Sequence, residues 1–132
     1  MDALRVMNLD LRAPLRYKTR AGTALRIEAG GEAVAVYDGV DEEGTPLVPT
    51  VIADKDDLSG DFEIPAGRYL LVQIRSEVDD SSIRILADEL KNEALWRDVG
   101  LAPRLYVRVL DEEDGGPVLQ ALRPVIDNGG GR

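Results

Sequence analysis

Carboxylates are the main chemical resource of this chain. Twenty-five Asp and Glu stand in 132 residues, many of them in four clusters: Asp41-Glu42-Glu43, Asp54 to Asp61, Asp79-Asp80, and Asp111 to Asp114. Carboxylates gathered at turn tips suit calcium, which takes six to eight oxygen ligands. The best-spaced cluster is Asp54-Lys55-Asp56-Asp57-Leu58-Ser59-Gly60-Asp61, and it fails the EF-hand test: Leu58 occupies the fifth position, where an oxygen ligand belongs, and Pro65 replaces the closing Glu. A calcium site assembled from two adjoining loops stays open, with Asp54, Asp56, Asp57 and Asp61 as candidate ligands. The competing reading is that Asp and Gly suit turns and keep a surface soluble.

Other chemistry finds less to work with. Histidine and cysteine are both absent, which removes the usual general base, the Ser-His-Asp arrangement, thiol nucleophiles, disulfides and zinc thiolate sites. A carboxylate pair for glycoside hydrolysis has no distinctive spacing here, and one Trp, four Tyr and one Phe are few platforms for a sugar. Ser59, Ser76, Ser81 and Ser82 all lie in loop or cap contexts, unsuited to pairing with a buried lysine. The glycines at 129–131 precede no helix and form no phosphate cradle. The expectation is therefore a chain without catalytic residues or an obligatory cofactor.

Charge narrows the partners. The net charge is −9, which disfavours non-specific binding to nucleic acid and to anionic lipid. It is unevenly spread. Residues 1–26 hold six basic residues (Arg5, Arg12, Arg16, Lys18, Arg20, Arg26) against two acidic ones, a local +4 that leaves the remainder at −13. This polarity suggests an N-terminal arm over residues 1–22 that docks on an acidic neighbour, through apolar anchors Leu4, Val6, Leu9 and Leu11 and basic Arg12, Arg16, Lys18 and Arg20. Ordinary edge strands with solvated arginines are the plainer alternative.

The elements that must position these residues are mostly strands. Leu25 and Ile27 alternate with charged Arg26 and Glu28, Val34 and Val36 with Ala33, Ala35 and Tyr37, and Leu70, Val72 and Ile74 with Tyr69, Leu71, Gln73 and Arg75, while Leu105, Val107 and Val109 alternate again. Turn signals separate them at Ala29-Gly30-Gly31, Asp41–Gly44, Ser59-Gly60, Pro65-Ala66-Gly67 and Asp111–Gly116. Strands at this spacing predict a β-sandwich or barrel. Pro117 and Pro124 place the last strand at an edge. One helix is expected from Ile83 or Ile85 to Asp98, capped within Asp79–Ser82, with Leu86, Leu90 and Leu95 toward the sheet, Trp96 as an anchor and Gly100 after its end; a strand Ser82–Leu86 before a shorter helix is the rival. Residues 23–127 then form a single β-rich domain and 128–132 a flexible tail. No signal peptide and no membrane-spanning run of apolar residues is visible.

The order Ala33-Val34-Ala35-Val36-Tyr37-Asp38, Gly44-Thr45-Pro46-Leu47, Gly60-Asp61-Phe62 and Pro65-Ala66-Gly67-Arg68-Tyr69 resembles a small β-sandwich module found in tail fibres and other virion proteins of tailed phages. Carboxypeptidase-regulatory-like and transthyretin-like modules share the pattern. The likeness covers about 40 residues, from 33 to 72, and contains no catalytic residue; the helix and two further strands depart from it. It implies an Ig-like or transthyretin-like sandwich and a structural protein of a virion (capsid decoration, neck or tail), made in the host cytoplasm, docking on other virion proteins and on copies of itself. The alternative it allows is a regulatory-type module that recognises a small ligand or carbohydrate, with calcium as its cofactor.

Overall fold

In the computed structural model of the chain, residues 5–20, 31–38, 49–56, 58–76, 79–112 and 116–126 are described. The strands are β1 (Met7–Leu11), β2 (Leu15–Thr19), β3 (Glu32–Asp38), β4 (Val51–Lys55), β5 (Phe62–Ile64), β6 (Gly67–Arg75), β7 (Gly100–Leu101), β8 (Arg104–Glu112) and β9 (Gly116–Ile126), and the helix α1 spans Asp80–Arg97. Leu4, the Leu25–Ile27 alternation, the Gly44–Leu47 turn, Asp57 and the 128–132 tail lie outside the described residues.

The protein is mainly β. The strands hydrogen-bond in the order β1-β6-β9-β8-β3-β4-β2-β5, with β7 added to β9, and every pair is antiparallel. This makes one curled sheet, a half-barrel; of the sandwich or barrel that the strand spacing allowed, it lies nearer the barrel. The curl is visible in a ring contact. Phe62 on β5 lies 6.4 Å from Tyr106 on β8, although β5 is separated from β8 by three strands in the ladder.

Curling gives the sheet two packed faces. On the convex face Ala35, Leu70, Val72, Leu105, Val107, Leu119 and Ala121 meet Ile83, Leu86, Leu90 and Ala94 of α1. On the concave face Tyr17, Val34, Val36, Ile64, Tyr69, Leu71, Tyr106 and Leu122 pack against one another, with Leu9, Leu11, Leu15 and Phe62 partly buried at the margin. The period-two alternation of each strand feeds both cores at once.

The helix begins where its cap residues lie. Asp79 is the N-cap and accepts from the Ser82 N–H at 2.7 Å. It ends at Asp98 in the left-handed region (φ 54°), with the Val99 N–H on the Ala94 carbonyl, two residues before the expected glycine. Leu95 and Trp96 are corrected: they are 73% and 88% exposed, and Ala94 takes the sheet-facing place.

The last strand is also corrected. β9 is central, between β6 and β8. Its prolines are tolerated because they sit near the strand's ends. The pairing with β8 stops at Tyr106↔Leu122, before Pro124 is reached, and Pro117 is the second residue of the strand.

β2 lies between β4 and β5, so the link from β4 to β5 must pass over it. Gly60 makes that crossing possible: a Cβ there would stand 2.6 Å from the Asp56 carbonyl oxygen and 2.7 Å from that of Tyr17.

Candidate functional site

Among the described residues, three places gather polar or exposed groups: a polar network on the concave face, the 54–61 loop over β2, and the outer side of α1.

The concave network joins Tyr17 of β2, Glu32 of β3, Arg108 of β8, Gln120 of β9 and Gln73 of β6. Arg108 Nη2 and Nε donate to Glu32 Oε2 at 2.9 and 3.3 Å, Nε reaches the Tyr17 hydroxyl at 3.1 Å, and Nη1 donates to Gln120 Oε1 at 2.8 Å. Gln120 Nε2 continues the chain to Gln73 Oε1 at 2.7 Å. The Tyr17 hydroxyl donates to Glu32 Oε2, and the Lys55 ammonium lies 5.3 Å from the Tyr17 ring centre. Burial above all pushes the Tyr17 phenol far up from its ordinary value; Arg108 pulls it down and Glu32 adds to the rise. Arg108 is matched in charge by Glu32, and its three guanidinium nitrogens all have protein acceptors. The network locks five strands to one another and holds Tyr17 as a neutral phenol, a poor general base at neutral pH.

Sequence reasoning missed this cluster. Gln73, Arg108 and Gln120 each alternate with inward apolar residues, as solvent-facing positions do; the curl turns that face inward.

The 54–61 loop spends its carboxylates on the chain itself. Asp54 pairs with Arg20 Nε at 3.2 Å. Asp56 accepts from the Leu58 and Ser59 N–H groups and the Ser59 hydroxyl, and Asp61 from the N–H and hydroxyl of Thr19, both at 2.8 Å. Those hydrogen bonds hold the Asp56 and Asp61 carboxyls below the usual range, the Ser59 backbone leading at Asp56 and the Thr19 backbone at Asp61. Among the described residues no group of three or more metal-ligating side chains converges. Of the four proposed calcium ligands, Asp54, Asp56 and Asp61 are each engaged with a different partner, and Asp57 lies outside the described residues.

The residues assigned to an N-terminal arm are part of the sheet. β1 pairs with β6, and β2 with β4 and β5. Val6 is buried in the convex core, and Leu9 and Leu11 pack on the concave one, so these apolar anchors are taken up internally. Arg16 pairs with Glu63 at 3.6 Å and donates to the Gly60 carbonyl, while Arg20 pairs with Asp54. Lys18 stands opposite Asp54 in the ladder and lowers the Asp56 and Asp61 carboxyls; Arg12 is exposed. The acidic groups that Arg16, Lys18 and Arg20 meet are their own chain's.

The outer side of α1 is different in kind. Ile85, Leu95 and Trp96 are 51%, 73% and 88% exposed, on a helix fixed to the sheet through its opposite face. Its C-terminal end is tied to β1: Arg97 donates to Asn8 Oδ1 at 2.8 Å and to the Val6 carbonyl at 3.0 Å, and pairs with Glu93 at 2.7 Å. No helix of the described residues is long and apolar enough to cross a membrane. No protein-family model matches the chain, and no curated protein matches it.

Proposed function

We propose that this chain is a non-enzymatic structural protein of a tailed-phage or phage-like virion, acting by docking on other virion proteins. The observation that carries the reading is the outer side of α1, where Ile85, Leu95 and Trp96 stand in solvent on a helix held rigidly from behind. Apolar side chains gathered on one firm face mark protein–protein contact, and Trp is enriched among the residues that dominate such contacts. The resemblance of residues 33–72 to phage sandwich modules supplies the setting. In this reading the curl of the sheet does the work of a sandwich's second layer, covering the concave core that a flat sheet would leave open.

The small-ligand alternative draws no support from two hollows among the described residues. They measure about 170 and 180 Å³, the first lined by Arg20 and Thr50, the second by Asp10 and Arg68. Ligand pockets commonly hold about 300–1,000 Å³.

The test is to purify particles produced by the organism whose genome encodes this chain and to quantify their proteins by mass spectrometry. The chain is expected as a component in fixed ratio to the major capsid or tail protein. Its absence from washed particles, while it is present in the lysate, would refute the reading.

A further inference from the structure

The outer side of α1 carries a heptad pattern. Ser81, Ile85, Asp88, Asn92 and Leu95 follow one another at steps of four, three, four and three, the spacing of the d and a positions of a coiled-coil seam. All five are at or near the surface, while Ile83, Leu86, Leu90 and Ala94 at b, c and f pack on the sheet. The seam therefore lies opposite the face already in use.

The flanks are unlike each other. On one side, at g, stand Arg84 and Lys91; on the other, at e, stand Glu89 and Trp96. In a parallel two-stranded pair the g residue of one helix meets the e residue five positions on in its partner. That places Arg84, which also keeps an intrachain contact, against Glu89 of the second copy, and Lys91 over the indole of Trp96. One contact is an ion pair and the other a cation–π pair, each made twice by symmetry. An antiparallel pair would instead set g against g and e against e, cation facing cation. Asn92 at a favours two parallel strands, and Ile85 and Leu95 are the apolar knobs. Asp88 at d opposes its own copy across the axis and keeps the association weak.

We infer that a second copy of this chain covers the outer side of α1, the two helices lying parallel and in register about a two-fold axis. The inference rests on the docking reading above and names the occupant of that face.

The absence of cysteine and the single tryptophan make the test direct. Light scattering between about 5 and about 500 µM should show the mass rising from 14.4 kDa toward twice that value, over the concentrations at which a small interface associates. Trp96 emission should shift to the blue over the same range. Asp88→Leu should move the midpoint at least about tenfold lower, a change of about 1.4 kcal/mol. Ile85→Cys and Leu95→Cys, each alone, should give disulfide-linked dimers under mild oxidation much faster than the surface control Arg12→Cys, because a parallel register sets each residue opposite itself; circular dichroism checks that each variant is folded. A wild-type monomer across the whole range overturns the inference. So does a dimer in which neither cysteine cross-links faster than the control, since that places the interface elsewhere. Either failure leaves the docking reading to the particle assay, and absence from particles overturns that reading while the pairing in solution still stands.

Discussion

Replacing Glu32 by alanine should destabilise the protein more than the same truncation of any other described carboxylate. The Arg108 and Glu32 side chains are 15% and 19% exposed, and their closest approach is 2.9 Å. Removing one member of a buried ion pair strands the other's charge, at a cost of about 3–5 kcal/mol where burial is complete. The residual exposure here argues for the lower end, about 3 kcal/mol. The Tyr17 hydroxyl also loses its acceptor, an unsatisfied donor that brings the total to about 3–4 kcal/mol. For a chain of this length each kcal/mol is worth about 3–5 °C in Tm, so Glu32→Ala should melt about 10–15 °C below the parent. Glu32→Gln also leaves the Arg108 charge unmatched but keeps a carbonyl acceptor for Tyr17 and Arg108, so it should cost less than Glu32→Ala, about 2 kcal/mol. In the double variant Glu32→Ala/Arg108→Ala the charge is no longer stranded, and the losses should fall short of additivity by about 2 kcal/mol. The assay is thermal and urea unfolding of the parent, the two Glu32 variants, Arg108→Ala and the double variant. A Tm within about 3 °C of the parent for Glu32→Ala, or strict additivity in the cycle, would show that the network does not bind these strands together.

Three other changes are expected from the same structure, and one from pH. Gly60→Ala should lower stability by about 2–3 kcal/mol, because its methyl group meets two carbonyl oxygens and the crossing over β2 has no room to yield; a parent-like urea midpoint would mean that the loop is displaced from β2. Asp79→Ala removes the helix cap and should cost about 1 kcal/mol, with faster hydrogen exchange at Ser82 than in the parent. Asp61→Ala should flatten the acid limb of the stability curve: the Asp61 carboxyl is held below its ordinary value by Thr19, so it contributes stability above the unfolded carboxyl pKa that is lost as pH falls through the folded one. On the alkaline side, burial pushes Tyr37 and Tyr69 up to about 12, Asp80 adding to the first and Tyr106 to the second. Their contribution is complete below about pH 10 and lost as pH rises toward about 12, so the urea midpoint should fall across that window.

What the sequence showed of this fold, and what it hid, follows from the range of each signal. Local patterns were legible: the alternation of Val34 and Val36, the Asp79 cap, and the Pro65–Gly67 turn that opens β6. The helix face was half legible. Leu86 and Leu90 are four residues apart and share a face, but Leu95 lies nine residues beyond Leu86, and nine steps of about 100° amount to a half-turn away from it; side-chain size was read in place of angle. Pairing order was not legible, because nothing local says that β2 separates β4 from β5. The charge polarity was real but misleading for the same reason. Arg16 and Arg20 are neutralised by Glu63 and Asp54, more than thirty residues away in the chain, so a charge run that looks like a free arm is a strand inside its own acidic frame.

These corrections bear on where the protein can meet anything else. A sheet normally has a face to offer, but here α1 packs on the convex side along β6, β9 and β7 and the curl closes the concave one. The polar groups at the concave margin are bonded to one another. Among the described residues, contact is then left to the strand edges and the outside of the helix, and the two are joined: Arg97 holds the C-terminal turn of α1 to Asn8 and to the Val6 carbonyl beside β1. A load on Leu95 or Trp96 passes through Arg97 to that edge strand. Arg97→Ala should therefore separate two properties that a passive surface salt bridge would not, leaving the melting temperature nearly unchanged while loosening both β1 exchange protection and any association made through the helix. If association is untouched when β1 loosens, the helix docks without help from the edge, and the sheet serves only as its support.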